Sequence, residues 1–244
     1  MAIAFVGSTS GQAINAGSVT LTLPGGMATD DLILVAWSCG DDDFTSPTLA
    51  MTTAGYTELT TSTLSADGGT AGDGNLAVFY KFHNGSDTQA VTAASGTGTD
   101  SSNAVALMVF RGVATVAGGG PLDGTIQTSS NTTGGDPDPP QVSGFDEATG
   151  VVVIAGASSG ASAGAYSAPA NYTTNAVLQD ANAETFRASV GLAYREDPAD
   201  PENPGVFNGA HTGAWCAATM VLKEAAATDD PAPFVGGGYY PAEG

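Results

Sequence analysis

The chain has 244 residues, enough for one large all-β domain or two small ones whose core needs no disulfide or metal. It carries 25 acidic and only 5 basic residues, for a net charge of −20. A protein this poor in cations cannot displace the counterions of nucleic acid or bind an anionic bilayer surface. We therefore expect neither a nucleic-acid partner nor a membrane partner.

The opening segment, MAIAFVGSTS, has no cationic start, and its apolar run is too short for a signal peptide. The longest apolar runs farther along have the length of strands and are too short to cross a bilayer. We therefore expect the chain to be made and folded in a cytosol. There Cys39 and Cys216, which lie in apolar runs, should be buried thiols, with a disulfide between them as the alternative.

Short apolar runs bounded by Gly, Pro, Asp, Asn and Ser predict strands along the whole chain, and helical periodicity is almost absent. The predicted strands, in chain order, are 2–5, 18–23, 32–39, 57–64, 76–82, 89–92, 104–110, 151–157, 173–178, 188–194 and 215–223. With 34 glycines and 13 prolines, the pattern predicts an all-β protein, a β-sandwich or a jelly-roll-like fold. Continuous apolar runs indicate strands covered on at least one face and partly on both.

Four features of the first half recur in the same order in the second half, which indicates a degenerate duplication. GNLAVFYKF at 74–82 is answered by ASVGLAYRE at 188–196, and DDLILVAWSCG is answered by ATGVVVIAGAS. SPTLAMTTAGYTEL likewise matches SAPANYTTNAV, and NAVALMVFRG matches WCAATMVLKE. The basic residues at these strand ends should lie with their stems on apolar surface and their charges in water, with binding of an acidic ligand or subunit as the alternative. They are Lys81, Arg111, Arg195 and Lys223.

The duplication predicts a body of residues 1–224 made of two halves, 27–112 and 145–224. A long, mostly irregular loop over 113–144 should join them, since it is rich in Pro and Gly and has no apolar period. The last segment, 225–244, has too little apolar surface to form a core of its own, so we expect an extended C-terminal arm. Its aromatic residues are the predicted partner-binding residues on a neighbouring subunit, because rings bury the most area per side chain. They are Phe234, Tyr239 and Tyr240.

One sequence pattern matches a catalytic motif. GASSG at 156–160 fits the G-x-S-x-G elbow of serine hydrolases, and Asp180 and His211 follow in the expected order. The overlapping GASAG at 160–164 fits equally well, and no helix pattern follows either copy. The composition therefore explains the match, and we expect no catalytic residue and no enzymatic activity.

Acidic turns provide the only metal candidates in the sequence. Asp41, Asp42 and Asp43 follow the predicted strand 32–39, and Ca²⁺ prefers several such oxygen ligands on a turn. Their spacing matches no known calcium loop, so a solvated turn is the simpler interpretation. We expect no cofactor, with calcium at these three residues as the alternative.

The ordered features together resemble a family of β-sandwich virion structural proteins of tailed bacteriophages and prophages. The features, over residues 1–224, are the opening MAIAFVGSTSGQAINAGSVTLTLPGG, then DDLILVAW, GYTEL, GNLAVFYKF, AVALMVFRGV with PLDGT, APANYTT and WCAATMVLK. The resemblance implies a virion protein made in the host cytoplasm, with other virion proteins, such as capsid or neighbouring subunits, as partners and a homo-oligomeric state. It assigns no chemical role to any residue.

Within that family role, the net negative charge favours a position outside the DNA-filled shell. We therefore expect a non-enzymatic exterior capsid decoration or head-fibre component. The alternatives are a tail component and a module that adheres to glycans on the host surface. Exposed aromatic side chains at one edge of the sandwich would favour adhesion.

Overall fold

The computed structural model describes residues 2–14, 16–40, 48–60, 62–68, 74–87, 91–95, 102–159, 166–182, 187–209 and 212–226. These residues form fourteen strands and two short 3₁₀ helices, Val116–Gly118 and Ala170–Asn175. The strands are β1 (Ala4–Ile14), β2 (Ser18–Leu21), β3 (Leu32–Gly40), β4 (Leu49–Met51), β5 (Thr57–Glu58), β6 (Leu64–Ala66), β7 (Gly74–Phe82), β8 (Val91–Ser95), β9 (Ser102–Arg111), β10 (Gln127–Asn131), β11 (Val151–Ser159), β12 (Ala176–Asn182), β13 (Arg187–Glu196) and β14 (Trp215–Leu222). The predicted all-β sandwich is confirmed.

Each half of the chain forms one main antiparallel sheet, and the two sheets have the same strand order. Sheet 1 runs β1-β9-β3-β7-β5, with β6 also pairing with β7, and sheet 2 runs β10-β14-β11-β13-β12. In both sheets the first strand of the half is at one edge, next to the last strand of that half. This common order is what the predicted duplication requires. The same order places β1 and β10, which lie outside the predicted halves 27–112 and 145–224, at matching edges of the two sheets.

The two sheets pack face to face around one apolar core, with β3 lying against β11 at the centre. Side chains in this core become smaller along the strands: Leu32 and Leu34 in β3 give way to Ala36, and Phe110 and Met108 in β9 give way to Ala106 and Ala104. We call the end of the sandwich with the smaller side chains, where β3 ends, the narrow end. The opposite end, where β3 begins, is the charged end.

Two glycines bring the backbones of the sheets into contact at the narrow end. A Cβ atom on Gly74 would lie only 2.6 Å from the Cα of Trp215, and one on Gly40 would overlap the carbonyl of Arg187. The thiol of Cys216 donates a hydrogen bond across the same junction to the carbonyl of Gly74, at 3.3 Å. A side chain at either glycine would therefore push the sheets apart.

Both outer faces of the sandwich are covered, so the central strands are buried on both sides. A small sheet of order β2-β8-β4 covers sheet 1 with Val19, Leu21 and Leu49. Irregular segments and the 3₁₀ helix Ala170–Asn175 cover sheet 2 with apolar side chains that include Phe145 and Tyr172. The continuous apolar runs of the sequence reflect this double burial, as predicted.

The structure departs from the sequence prediction at the edges of the sheets. β1 reaches Ile14, although only residues 2–5 were predicted as a strand, because its later residues are small and polar and pair with β9 without an apolar signal. The predicted loop 113–144 contains β10, the edge strand of sheet 2. The predicted strand 57–64 is divided into β5 and β6, and β4 was missed.

Candidate functional site

The cation at the end of β9 holds a buried carboxylate at the charged end. Arg111 donates from Nε to Asp31 Oδ1 and from Nη2 to Asp31 Oδ2, both at 2.8 Å, and from Nη2 to the carbonyl of Gly26 at 3.0 Å. Burial alone would raise the pKa of Asp31, but the hydrogen bonds from Arg111 and from the N–H of Ala28, with the charge of Arg111, lower it below its usual value. The pair connects β9 to the segment that enters β3.

The equivalent end of sheet 2 has a larger network. Arg195 Nη1 donates to both carboxylate oxygens of Glu202, at 2.9 and 2.8 Å, and the hydroxyl of Tyr172 donates to Glu202 Oε1 at 3.0 Å. The side chain of Glu202 is 4% exposed. Burial and the neighbouring carboxylate raise the pKa of Tyr172, so its hydroxyl remains a donor. The network fixes the loop after β13 against the outer face of sheet 2.

The other basic side chains are engaged in the same way. Lys81 Nζ lies 2.9 Å from Asp87 Oδ2, and Lys223 Nζ donates to the carbonyl of Gly118 at 3.2 Å. Arg187 has an interaction partner as well. All five basic residues therefore interact with groups of their own chain. The side chains of Arg111 and Arg195 are also 43% and 28% exposed, so they reach water as expected while they pair. The sequence signal was available: Asp31 directly precedes β3, and Asp87 and Glu202 each lie six or seven residues after their cations.

The serine-elbow pattern is not an elbow in the structure. Ser158 is fully buried, and β11 continues through it to Ser159, so no sharp turn presents its hydroxyl to solvent. Gly160 and His211 lie outside the described residues, as does the side chain of Asp180. The buried strand therefore explains the pattern, as the composition suggested.

The predicted calcium and partner-binding residues cannot be placed. Asp41, Asp42 and Asp43 lie outside the described residues, and so does the arm from 227 onward with its three aromatic rings, Phe234, Tyr239 and Tyr240. Both assignments stay predictions. In the part of the chain that the structure describes, no group of three or more His, Cys, Asp or Glu side chains could hold a metal ion, and no helix has the length and apolarity of a membrane span.

Both cysteines are free and buried, as predicted. Cys39 is on β3 and Cys216 on β14, so they belong to different sheets. Burial raises the pKa of the Cys216 thiol to about 12. Its thiol is therefore protonated and unreactive at neutral pH, which makes it a packing group.

The aromatic side chains are mostly in the core. Trp37, Trp215, Phe79 and Phe110 are buried, as predicted, and Tyr80 is half-buried. Phe5, at 39% exposure, is the one exposed aromatic residue among those described, and its ring stacks on Tyr194. The described surface therefore has no platform of aromatic rings for a sugar.

The most distinctive surface feature is the outer side of β1, which we call the open edge. β1 pairs with β9 on one side, and no described strand pairs with its other side. After a register shift between Phe5 and Gly7, the ladder to β9 is regular from Gly7 to Ile14. None of the eleven residues of β1 is buried, and Ile14 is 40% exposed. A row of backbone donors and acceptors is thus available for pairing with another strand.

The open edge is free of charge and held in a fixed position. Residues 1–29 contain no Asp, Glu, Lys or Arg, in a chain whose net charge is −20. Gly7 packs on Pro24 and Gly11 on Leu21, so the segment that follows β1 lies directly on its outer face. On the inner face, Gln179 Nε2 donates to Gln12 Oε1 at 2.9 Å and ties β1 to β12. Nothing in the sequence patterns predicted this edge, although the missing charges could have indicated it.

The other described margins of the main sheets are less suited to pairing. β5 and β6 have two and three residues. β10 has five, and the hydroxyl of Ser129 donates to the carbonyl of Asp138, at 2.6 Å, so that the following loop is held beside it. β12 has seven residues and carries Asp180. Short length, a covering loop and a charge commonly protect an edge strand from pairing, and β1 has none of these three. Its one protection of another kind is the register shift near its start.

Comparison with known proteins gives no relative from which to transfer a function. No family model matches the chain, and no curated protein or solved structure matches it either. The function is therefore argued from the described surface and from the features of the sequence.

Proposed function

We propose that the chain is a non-enzymatic structural protein of a tailed-phage particle, carried on the outside of the capsid as a decoration or head-fibre component. The observation that supports it best is the use of the cations. Lys81, Arg111 and Arg195 form ion pairs within their own chain, and only two other cations remain to offset the excess of carboxylates. Such a surface is repelled by packaged DNA, which favours the exterior of the shell.

The interior of the protein supports a structural role too. The sandwich is covered on both outer faces, and its strand ends are fixed by ion pairs, which together give a rigid body. The one catalytic pattern of the sequence lies in a buried strand. A rigid body with an exposed strand edge is suited to fixed contacts between protein subunits.

Adhesion to a host glycan is the alternative function, and the described surface does not favour it. Sugar sites commonly use exposed aromatic rings, and among the described residues only Phe5 is an exposed aromatic, occupied in part by Tyr194. A glycan array with the purified protein tests this alternative directly.

Quantitative mass spectrometry of purified particles tests the proposed role. We expect the chain at a fixed copy number per particle, and we expect an impermeant amine- or carboxyl-reactive label added to intact particles to modify it. Absence from the particles would overturn the proposal. Modification only after the shell is opened would overturn the exterior position.

A further inference from the structure

We propose that two copies of this chain pair through their open edges, β1 against β1 and antiparallel, so that sheet 1 continues from one subunit into the next. The inference deepens the proposed function by naming a partner, and it rests on that function for its place in a particle. It is carried by the length of the unpaired strand, its lack of charge and the contacts that fix it on both faces.

The distribution of charge favours a second copy of the chain as the partner and the open edge as the surface that it contacts. Two chains of net charge −20 repel each other wherever carboxylates face each other. The first 29 residues, which contain the whole of β1, are free of charge, so this surface can approach its own copy without that repulsion. A basic partner would instead be drawn to the acidic surfaces elsewhere on the molecule.

The electrostatics also select the direction of pairing. Glu196, Asp197 and Glu224 line a cavity of about 330 Å³ beside Ala2 and Ile3, next to the start of β1. Parallel pairing would place these carboxylates opposite their own copies. Antiparallel pairing moves the two acidic cavities to opposite ends of the paired strands, and it gives the self-complementary contact that a two-fold dimer requires.

The geometry gives the register. The regular part of β1, Gly7–Ile14, is eight residues long, and a two-fold axis perpendicular to the sheet can pass midway between Ser10, near its middle, and Ser10 of the second copy. Ser8 of one copy then lies opposite Gln12 of the other, because residues on the same face of a strand are two apart. Both side chains are exposed in the single chain, so changes at these positions leave the core intact.

Charge substitutions test the pairing in the full-length protein. Ser8→Glu with Gln12→Glu places two pairs of like charges across the axis, and the carboxylate introduced at position 12 can still accept the hydrogen bond from Gln179. Sedimentation of the wild type at micromolar concentration should give a dimer. The double variant should give a monomer, with a dissociation constant raised by at least about 100-fold, since facing like charges cost several kcal/mol. The matched control, Thr128→Glu with Ser130→Glu on exposed sites of β10, should remain a dimer.

A complementary pair of variants makes the test specific for β1. An equimolar mixture of Ser8→Glu/Gln12→Glu with Ser8→Lys/Gln12→Lys should restore a dimer that contains one copy of each. Ser10→Cys should form a disulfide-linked dimer on mild oxidation, since residues opposite each other in an antiparallel pair are within disulfide distance. The control Thr128→Cys, which lies opposite Ala218 in its own chain, should not.

The outcomes separate this inference from the proposed function. A wild-type monomer, or a Ser8→Glu/Gln12→Glu variant that keeps the wild-type mass, overturns the pairing, even if the chain is found in particles. A wild-type dimer with the expected variant behaviour supports the pairing, and absence of that dimer from purified particles then overturns the proposed function alone.

Discussion

β1 and β10 occupy the same place in two sheets of the same strand order, yet one is an open edge and the other is not. Neither strand carries a charge, but β1 has eleven residues, while β10 has five and is followed by a loop that bonds to its Ser129. The interior strands of the two halves bury the same core and share one order, as the predicted duplication requires. Edge strands face solvent on one side and are freer to change. The comparison shows that matching positions in the two sheets can hold one protected edge and one unpaired edge, and the unpaired edge is the one for which we propose contact with a second copy.

The largest effect on stability should come from the junction that holds the two halves together. Gly74→Ala places a methyl group against the backbone of Trp215, which cannot move without separating the sheets. We expect a loss of about 3 kcal/mol in the free energy of unfolding, measured by denaturant titration. Gly25→Ala is the matched control, because nothing lies within 4 Å of its added Cβ, and it should change stability by less than about 0.5 kcal/mol. Equal stabilities of the two variants would contradict the close contact of the halves.

The matching strands β7 and β13 both have a tyrosine followed by a cation near their ends, Lys81 and Arg195, but the two cations should contribute differently to the free energy of unfolding. Glu202, the partner of Arg195, is 4% exposed, whereas Asp87, the partner of Lys81, is 19% exposed. Arg195→Met removes the cation and leaves the buried carboxylate of Glu202 with the hydrogen bond from Tyr172. It should lower the free energy of unfolding by about 2 kcal/mol. Lys81→Met should cost about 0.5 kcal/mol, since water can solvate Asp87. If Lys81→Met lost more stability than Arg195→Met in thermal or chemical unfolding, the burial of the carboxylate would not determine the energy of the pair.

The interior was predictable from the sequence, and the margins were not. Runs such as LILVAWSCG and VVVIAGASS have a composition that only double burial explains, and the duplicated order of such runs indicated two matching sheets. β1 and β10 consist largely of Ser, Thr, Gln and Gly, residues that also form loops, so their pairing depends on the neighbouring strand and leaves no local signal. The pair of Asp31 and Arg111 was missed because its residues are 80 positions apart, whereas the pairs of Lys81 and Arg195 are close in sequence and could have been recognised from their spacing.

Low pH should destabilise the first half of the chain, because protonation removes the charge of Asp31. Its pKa is lowered in the folded protein, so its contribution to stability is present above the unfolded value of about 3.9 and is lost as the pH falls through the lower folded value. Asp31→Asn should therefore be less stable than the wild type by about 1.5 kcal/mol at pH 7, and the difference should shrink as the pH falls below the unfolded value of about 3.9. Unfolding curves from pH 7 to pH 2 measure this, and a constant difference over that range would contradict the assigned role of the carboxylate.

The two thiols should contribute little to stability. Cys39→Ser with Cys216→Ser keeps a donor for the carbonyl of Gly74 and should cost about 1 kcal/mol or less, with no change of oligomeric state. In the native wild type, neither thiol should react with a thiol-specific chromogenic reagent at pH 8, because both are buried and the pKa of Cys216 is about 12. Loss of assembly in the double variant under reducing conditions would show that the cysteines do more than pack.

Hydrogen exchange tests the difference between the two edges most directly. In the wild-type protein at dimer concentrations, the outward-facing amides of β1 should exchange slowly, while those of β10 should exchange at least about tenfold faster. In Ser8→Glu/Gln12→Glu, exchange in β1 should rise to the level of β10, with the core strands β3 and β11 unchanged. Equal exchange of β1 in the wild type and the variant would contradict the pairing of two copies through this edge.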